Sequence, residues 1–94
     1  MIRSFGDSRT ERFASGHRIK EFESMRRQAE KTLDRLDAAT SLRDIANFPG
    51  FRLEKLKGDR AGTFSIRIND QWRVCFIWRG GSPGPELVTI EDYH

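Results

Sequence analysis

The hydrophobic period of this sequence changes once, at Phe48-Pro49-Gly50, and that change limits the chain to helices before the break and strands after it. Apolar residues recur every three or four positions over residues 19–39, which is typical of an amphipathic helix. Residues 63–68 and 72–78 instead alternate between polar and apolar, as half-buried strands do. The pattern predicts an α+β fold, in which N-terminal helices pack on a small, mostly antiparallel sheet.

Capping signals divide the helical half. Asp7 or Ser8 is suited to cap a brief first helix, because a short polar side chain can accept a hydrogen bond from a free backbone N–H. One long helix is predicted over residues 19–39, and Thr40 or Ser41 caps a further single turn. Capping residues therefore mark the predicted starts of the first helix and of the last one.

Strands are also predicted at both ends of the chain, over residues 1–5 and 86–93. For the central hairpin, a three-residue Asn69-Asp70-Gln71 loop is favoured over a two-residue loop, because it places all apolar side chains on one face. The resulting opposed pairs are Ile68 with Trp72, Ile66 with Val74, and Phe64 with Phe76.

The same register sets Arg67 directly opposite Arg73 on the other face of the sheet. Like charges in such a pair destabilise it by up to about 1 kcal/mol. An acidic side chain or a bound phosphate between the two arginines would relieve the repulsion, which makes this face a candidate anion site. The alternative is two solvated side chains splayed apart.

Size and composition exclude several classes of protein. At 94 residues, the chain is predicted to form one domain, residues 1–94. Cys75 is the only cysteine, so an internal disulfide is excluded, and with His17 and His94 it forms no ligand set at metal spacing. No metal site and no cofactor are predicted.

No apolar run approaches the roughly 20 residues of a membrane span, and the N-terminus lacks the apolar stretch of a secretion signal. A cytoplasmic location is expected.

Thirteen of the seventeen basic residues are arginines, and the formal net charge is +3. Arginine presents a planar fork of donors that suits phosphate and can stack on bases, whereas lysine serves solubility equally well. The bias therefore favours a nucleic-acid partner, or else it reflects the base composition of the genome.

Two short segments carry residues suited to phosphate chemistry. Residues 55–60 place three cations around Gly58, where they cradle a phosphate or form an ordinary solvated turn. The closing Asp92-Tyr93-His94 follows an apolar strand, and a tyrosine and a histidine beside arginines can act as acid and base. The alternative is a frayed terminus.

Four blocks of sequence, in this order and at this spacing, form a recognisable pattern. They are Ile2-Arg3-Ser4-Phe5; Leu56-Lys57-Gly58-Asp59-Arg60, followed by Gly62 and Ser65-Ile66-Arg67; Trp72-Arg73-Val74-Cys75-Phe76; and Glu91-Asp92-Tyr93-His94. With these blocks the chain resembles, over essentially its whole length, the HigB-type toxins, or plasmid-maintenance killer proteins, of the RelE/ParE toxin superfamily.

The resemblance implies the toxin of a type II toxin-antitoxin system, with a RelE-like fold. It implies a ribosome-dependent endonuclease that cuts translated mRNA in the ribosomal A site. The partners it implies are the 70S ribosome carrying mRNA, with contacts to 16S rRNA, and a HigA-type antitoxin with a helix-turn-helix domain. Operator DNA is an indirect partner through that antitoxin, and no membrane is involved.

The resemblance also assigns roles to single residues. The family's C-terminal Asp-Tyr-His falls on Asp92, Tyr93 and His94, its sheet arginine on Arg73, and its basic-turn lysine on Lys57. The implied reaction is attack of a ribose 2′-hydroxyl on the adjacent phosphate. Tyr93 or His94 would transfer protons, while Lys57 and Arg73 would stabilise the charge that grows on the phosphate.

Three further cations are predicted to bind RNA: Lys55, Arg60 and Arg67.

One residue departs from the family pattern, because some members have a histidine just before the basic turn and this chain has Glu54. Glu54 acts as a base, holds Lys57 or Arg73 in place, or has no role. The departure affects the strength of the activity more than its type.

Two other functions are compatible with the same resemblance. One is a ParE-like toxin that inhibits DNA gyrase, since one scaffold serves both activities in the superfamily. The other is a catalytically weak toxin that serves mainly as the antitoxin's co-repressor. The closing Asp92-Tyr93-His94 favours the nuclease, because a gyrase inhibitor has no use for an acid-base pair.

Overall fold

The computed structural model describes residues 1–92, in which helices cover one face of a sheet. The α-helices are α1 (Ser8–Ala14), α2 (Arg26–Ala38) and α3 (Leu42–Ala46). Three 3-10 segments lie at Lys20–Met25, Pro49–Phe51 and Gly58–Arg60.

The sheet has four antiparallel strands that neighbour one another in chain order. They are β1 (Glu54–Lys55), β2 (Thr63–Arg67), β3 (Trp72–Ile77) and β4 (Glu86–Asp92). Helices come first and strands second, so the predicted α+β architecture is confirmed.

The predicted hairpin register is also confirmed. Strands β2 and β3 oppose Phe64 to Phe76, Ile66 to Val74 and Arg67 to Arg73. Asn69 explains the length of the loop, because its side-chain oxygen accepts hydrogen bonds from the backbone N–H groups of Gln71 and Trp72, each at 2.8 Å. An asparagine that bonds to the backbone two residues ahead is a recognised turn-forming device.

The prediction of one long helix over residues 19–39 is wrong. The segment is divided into the 3-10 helix Lys20–Met25 and the α-helix α2. A 3-10 helix has three residues per turn, so Phe22 and Met25 lie on the same side of it, and both are buried. The ring of Phe22 meets Phe13 and Trp72 edge-on at centroid distances of 5.2 and 5.5 Å. The packing of Phe22 between Phe13 and Trp72 thus occurs where the segment Lys20–Met25 adopts 3-10 geometry.

The predicted caps are present at both short helices. The Asp7 carboxylate accepts a hydrogen bond from the Thr10 N–H at 2.7 Å at the start of α1. The Ser41 hydroxyl accepts one from the Asp44 N–H at 3.3 Å at the start of α3. These side chains satisfy N–H groups that have no partner within the helix.

The strand predicted over residues 1–5 is reduced to a single parallel bridge between Phe5 and Val88. The segment nevertheless runs beside β4, since the Val88 N–H donates to the Ser4 carbonyl and the Gly6 N–H donates to the Val88 carbonyl. Helix α1 also lies along this edge of β4, because the buried Thr10 hydroxyl accepts a hydrogen bond from the Ile90 N–H at 2.9 Å. The outer edge of β4 is thereby protected from pairing with another chain.

The hydrophobic core lies between the helices and the sheet face that bears Ile66, Val74 and Ile90. Helix α2 contributes Ala29, Leu33 and Leu36 from one side of the helix, spaced as the sequence pattern predicts. Within residues 1–92 the α-helices pack on that face alone, and the opposite face bears the polar residues of interest.

Candidate active site

The sheet face turned away from the helices, here called the outer face, is formed by two rows of paired residues. One row runs Arg67, Arg73, Glu91 across β2, β3 and β4, and the other runs Glu54, Ser65, Cys75, Thr89 across all four strands. Paired residues in a sheet share a face, so these side chains form one surface.

Two residues of the outer face are buried although no helix covers them. Ser65 is 0% exposed and Cys75 is 3% exposed. Burial raises the pKa of the Cys75 thiol to about 12, and the neighbouring Glu91 carboxylate raises it further, while Arg60 opposes the shift. The thiol is therefore protonated and unsuited to act as a nucleophile.

Arg67 and Arg73 are opposed, as predicted, and their guanidinium groups take partners in opposite directions along β2. Arg67 donates to the carboxylate of Asp70 in the hairpin loop, and this bond lowers the pKa of Asp70. Arg73 donates instead to the Ser65 hydroxyl at 3.4 Å. These contacts draw the two guanidinium groups toward separate partners, and the acidic partner of Arg67 lies in the hairpin loop.

Glu54 lies next to Ser65 on the outer face. Arg73 donates to the hydroxyl of the same Ser65. Glu54 and Arg73 therefore both lie beside this buried serine. The residue that departs from the family pattern is thus in the neighbourhood of Arg73 and is well placed to influence it.

Arg60 reaches the outer face from the turn between β1 and β2. Its two terminal nitrogens donate to the two carboxylate oxygens of Glu91 at 2.7 and 2.8 Å. The Thr89 hydroxyl donates to the same carboxylate at 2.6 Å. Chiefly because of the bonds from Arg60, the pKa of Glu91 falls to about 2 and that of Arg60 rises, so both stay charged at neutral pH.

The basic turn presents Lys57 as an exposed residue just before the 3-10 segment Gly58–Arg60. Gly58 has φ +67°, a left-handed conformation that favours glycine and turns the chain toward Arg60. Lys55 pairs with Phe64, so it shares the helix-covered side of the sheet and is separated from Arg67 and Arg73. The predicted RNA-binding set is thus divided between two sides of the sheet.

Asp92 ends β4 and pairs with Trp72, so alternation places it on the opposite side of the sheet from Glu91. Its carboxylate accepts a hydrogen bond from the Gln71 side chain at 3.1 Å. Tyr93 and His94 lie outside the described residues, and their catalytic roles stay predictions.

A second group of cations was missed by the sequence reasoning. Lys31 and Arg35 of α2 line a cleft of about 160 Å³ together with Arg67. The guanidinium of Arg35 lies over the ring of Phe48, 4.3 Å from its centroid. The available signal was the four-residue spacing of Lys31 and Arg35, which places them on one side of a helix.

A groove of about 520 Å³ lies elsewhere, between the N-terminal segment, α1 and α2. Apolar side chains such as Phe5 and Leu33 line it together with the carboxylates of Glu30, Asp34 and Asp37. None of the predicted site residues within positions 1–92 lines this groove, and acidic walls disfavour a phosphate ligand. The outer face is the better candidate for phosphate chemistry.

Residues 1–92 show neither a candidate metal cluster nor a candidate membrane helix. No three His, Cys, Asp or Glu side chains within residues 1–92 are grouped so that they could hold a metal ion. In the same range, no helix has the length and apolar character needed to cross a bilayer.

Comparison with known proteins identifies the family. The family model described as the RelE-like toxin of type II toxin-antitoxin system HigB matches residues 3–94. The chain belongs to this HigB-like toxin family. The match includes the basic turn, the arginine pair and the closing Asp92-Tyr93-His94, which are among the segments that carry the resemblance.

Two curated relatives are similar over part of the chain. Toxin HigB-1 of Vibrio cholerae serotype O1 is 41% identical over 64 residues, which are 68% of this chain. The Endoribonuclease HigB of Proteus vulgaris is 36% identical over 62 residues, or 66% of this chain. The similarity spans 64% of the length of each relative.

Among solved structures, a YoeB/ParE toxin from Agrobacterium tumefaciens superposes with a TM-score of 0.61 and covers 99% of this chain and 98% of its own. Its sequence is 18% identical, so the likeness concerns the fold alone. It supports the RelE-like α+β architecture and does not separate a nuclease from a gyrase inhibitor.

Proposed function

We propose that this protein is the toxin of a type II toxin-antitoxin system and acts as a ribosome-dependent endoribonuclease that cleaves translated mRNA in the ribosomal A site. The observation that carries the proposal is the pairing of Arg73 with Glu91. It brings the strand that leads into Asp92-Tyr93-His94 alongside an arginine on an open sheet face. An extended RNA strand can lie on such a face.

The proposed reaction is a transfer within the RNA. The ribose 2′-oxygen attacks the adjacent phosphorus, the bond from phosphorus to the 5′-oxygen of the next nucleotide breaks, and a cyclic phosphate and a 5′-hydroxyl result. One side chain takes the proton from the 2′-hydroxyl, and another supplies a proton to the departing 5′-oxygen. Tyr93 and His94 are proposed for these two transfers, since both can exchange a proton.

Arg73 and Lys57 are proposed to stabilise the additional negative charge on the phosphate oxygens. Electrostatic stabilisation by donors already in place is usually among the largest contributions to catalysis. The buried Ser65 hydroxyl accepts from Arg73 at 3.4 Å and orients its guanidinium.

RNA binding is proposed to involve cations on both sides of the sheet. Lys55 is exposed at the edge strand, and Arg67 joins Lys31 and Arg35 at the small cleft. These residues are suited to bind backbone phosphate, whose contacts position RNA without reading its sequence. Neutralising Lys31 and Arg35 together should lower the salt dependence of binding, because fewer counterions are released.

The proposed partners follow from the same function. They are the 70S ribosome with its mRNA and 16S rRNA, and a HigA-type antitoxin whose helix-turn-helix domain connects the complex to operator DNA. The family description supports an antitoxin partner in general.

The test is mapping of mRNA 5′ ends after brief induction in cells that lack the antitoxin. Wild type and His94→Ala are compared, and purified protein is then incubated with the same RNA with and without ribosomes. We expect new ends within translated codons, only with ribosomes, and a loss of about 10²- to 10⁴-fold in cleavage for His94→Ala. Arg79→Ala, in the loop after β3, is the control for loss of one exposed positive charge.

Two results would contradict the proposal. Growth arrest without new RNA ends would exclude cleavage and would direct the next assay to DNA gyrase. Absence of both arrest and cleavage, with binding to the antitoxin retained, would indicate a co-repressor.

A further inference from the structure

The groups proposed for catalysis come from two segments that are distant in sequence. Lys57 stands at one end of the basic turn and Arg60 at its other end. Asp92, Tyr93 and His94 follow directly after Glu91. The pair of Arg60 and Glu91, 31 residues apart, connects the two segments.

The geometry of this pair restricts both partners. Two parallel hydrogen bonds of 2.7 and 2.8 Å fix the guanidinium plane relative to the carboxylate. The Thr89 hydroxyl holds the same carboxylate at 2.6 Å, and the backbone of Glu91 is paired with Arg73 in the sheet. Contacts therefore run without interruption from β3 through β4 to the basic turn.

Two other ion pairs of the described residues are looser and lie within or between neighbouring helical segments. Arg9–Glu21 and Arg26–Glu30 are exposed pairs with separations of 3.7 and 3.9 Å. Pairs of that kind contribute little to stability. The Arg60–Glu91 pair is distinguished by its two short parallel hydrogen bonds; its side chains are 49% and 31% exposed, and it lies beside the buried Cys75.

The basic turn joins β1 to β2, which pair through Glu54 with Ser65 and Lys55 with Phe64. Its backbone hydrogen bonds are local, from Leu56 to Thr63, from Arg60 to Lys57 and from Ala61 to Gly58. Strand β1, which precedes the turn, is only two residues long. A side-chain contact with β4 adds a long-range restraint on the turn and so on Lys57.

We propose that Arg60 and Glu91 form a brace that holds the basic turn against β4 and so sets the position of Lys57 relative to Arg73. Glu91 and Arg60 are positioning residues, and the primary task of Arg60 is to hold Glu91. The brace rests on the proposed nuclease function, because positioning matters only where Lys57 acts on a phosphate.

The test compares Glu91→Gln, Arg60→Lys and the exchanged pair Arg60→Glu with Glu91→Arg. Each is assayed for kcat and KM on ribosomes carrying mRNA, with Glu30→Gln as the control that loses an exposed ion pair. Neither Gln nor Lys can form the doubly bonded ion pair. Since a displacement of about 1 Å can cost roughly 10²-fold in rate, we expect kcat to fall by about 10- to 100-fold with KM nearly unchanged.

The double variant Arg60→Lys with Glu91→Gln should be no slower than either single variant, because both changes remove one interaction. The exchanged pair should recover part of the lost kcat. Loss that appears in KM for Arg60→Lys alone, with Glu91→Gln unaffected, would mean that Arg60 binds RNA directly and would overturn the brace.

A second readout does not depend on activity. Amide hydrogen exchange over residues 57–62 should accelerate in Glu91→Gln, while exchange at Val74 in the central strand stays unchanged. Unaltered exchange in the turn would overturn the brace. If the wild type cleaves no RNA, the nuclease proposal fails, and the exchange experiment still decides whether Arg60 and Glu91 hold the turn.

Discussion

Arg67 and Arg73 are paired directly across β2 and β3, yet one donates to Asp70 in the hairpin loop and the other to the buried hydroxyl of Ser65. Two like charges can share a sheet face when each is drawn toward a separate partner. The consequence for function is that Arg73 is oriented along the outer face and Arg67 toward the loop. The two arginines are therefore expected to have different roles.

Replacement of Arg73 should test the catalytic role that is proposed for it. Arg73→Ala is expected to lower kcat by about 10²- to 10³-fold, because it removes donors from the position where phosphate charge increases. The side chain is half-buried on a sheet face without helices, so folding should persist, as circular dichroism can verify. Arg79→Ala should keep the wild-type rate. A full rate for Arg73→Ala would exclude the proposed role.

Acid should remove the stabilising effect of the Arg60–Glu91 pair. The pKa of Glu91 is about 2 in the folded chain against an ordinary value of 4.5, so its stabilising contribution is complete above 4.5 and is lost as pH falls toward 2. We expect wild type to exceed Glu91→Gln in free energy of unfolding by about 1 kcal/mol near neutral pH. Urea titrations should show this difference shrinking below pH 4.5; a difference that grew on acidification would contradict the assignment.

The contact between Thr10 and Ile90 should be important for stability. Thr10→Val keeps the shape of the side chain but leaves the β4 N–H of a buried residue without its acceptor. The expected cost is about 1 to 3 kcal/mol in the free energy of unfolding. Thr10→Ser, which retains the hydroxyl, should be much less affected. Equal stability of Thr10→Val and Thr10→Ser would show that the bond is unimportant.

A methyl group at Gly6 should be poorly tolerated. A Cβ there would lie 2.7 Å from the Thr89 methyl group and 2.9 Å from the Leu87 carbonyl oxygen, so the N-terminal segment would have to move off β4. Gly6→Ala should cost about 1 to 3 kcal/mol, as overpacking does. Gly80→Ala is the matched control, because nothing lies within 4 Å of its Cβ position. Thermal denaturation of the two variants measures the difference.

The Cys75 thiol should resist alkylation in the folded protein. Its pKa of about 12 against an ordinary 9.0 lowers the reactive thiolate fraction by about three orders of magnitude, and burial adds a steric barrier. Reaction with a thiol reagent at mildly alkaline pH should be at least a hundredfold slower than after denaturation in urea. Similar rates in both states would place the thiol at the surface.

Local patterns were sufficient to predict several elements of this fold. Alternation and the loop at Asn69 predict the β2–β3 register, because only one register places all apolar side chains on one face. The caps at Asp7 and Ser41 are local interactions between neighbours, and they too are predictable. The order and spacing of the four sequence blocks also pointed to the HigB-like toxin family, to which the chain belongs.

Predictions that depended on distant packing failed. A periodic pattern over residues 19–39 cannot reveal that Phe22 will pack against Trp72 from another element, where the chain adopts 3-10 geometry. The segment before α1 has strand character, but how far it pairs depends on how it meets β4.

The sequence by itself determined the order of helices and strands, the polar and apolar faces of the hairpin, and the position of Arg67 opposite Arg73. Those properties follow from periods and turns that extend over a few residues. Only the tertiary structure decided that Arg60 meets Glu91 and that Lys55 is separated from Arg73. The reason is that the partner of a long charged side chain depends on which distant segments the packed core brings within hydrogen-bonding distance.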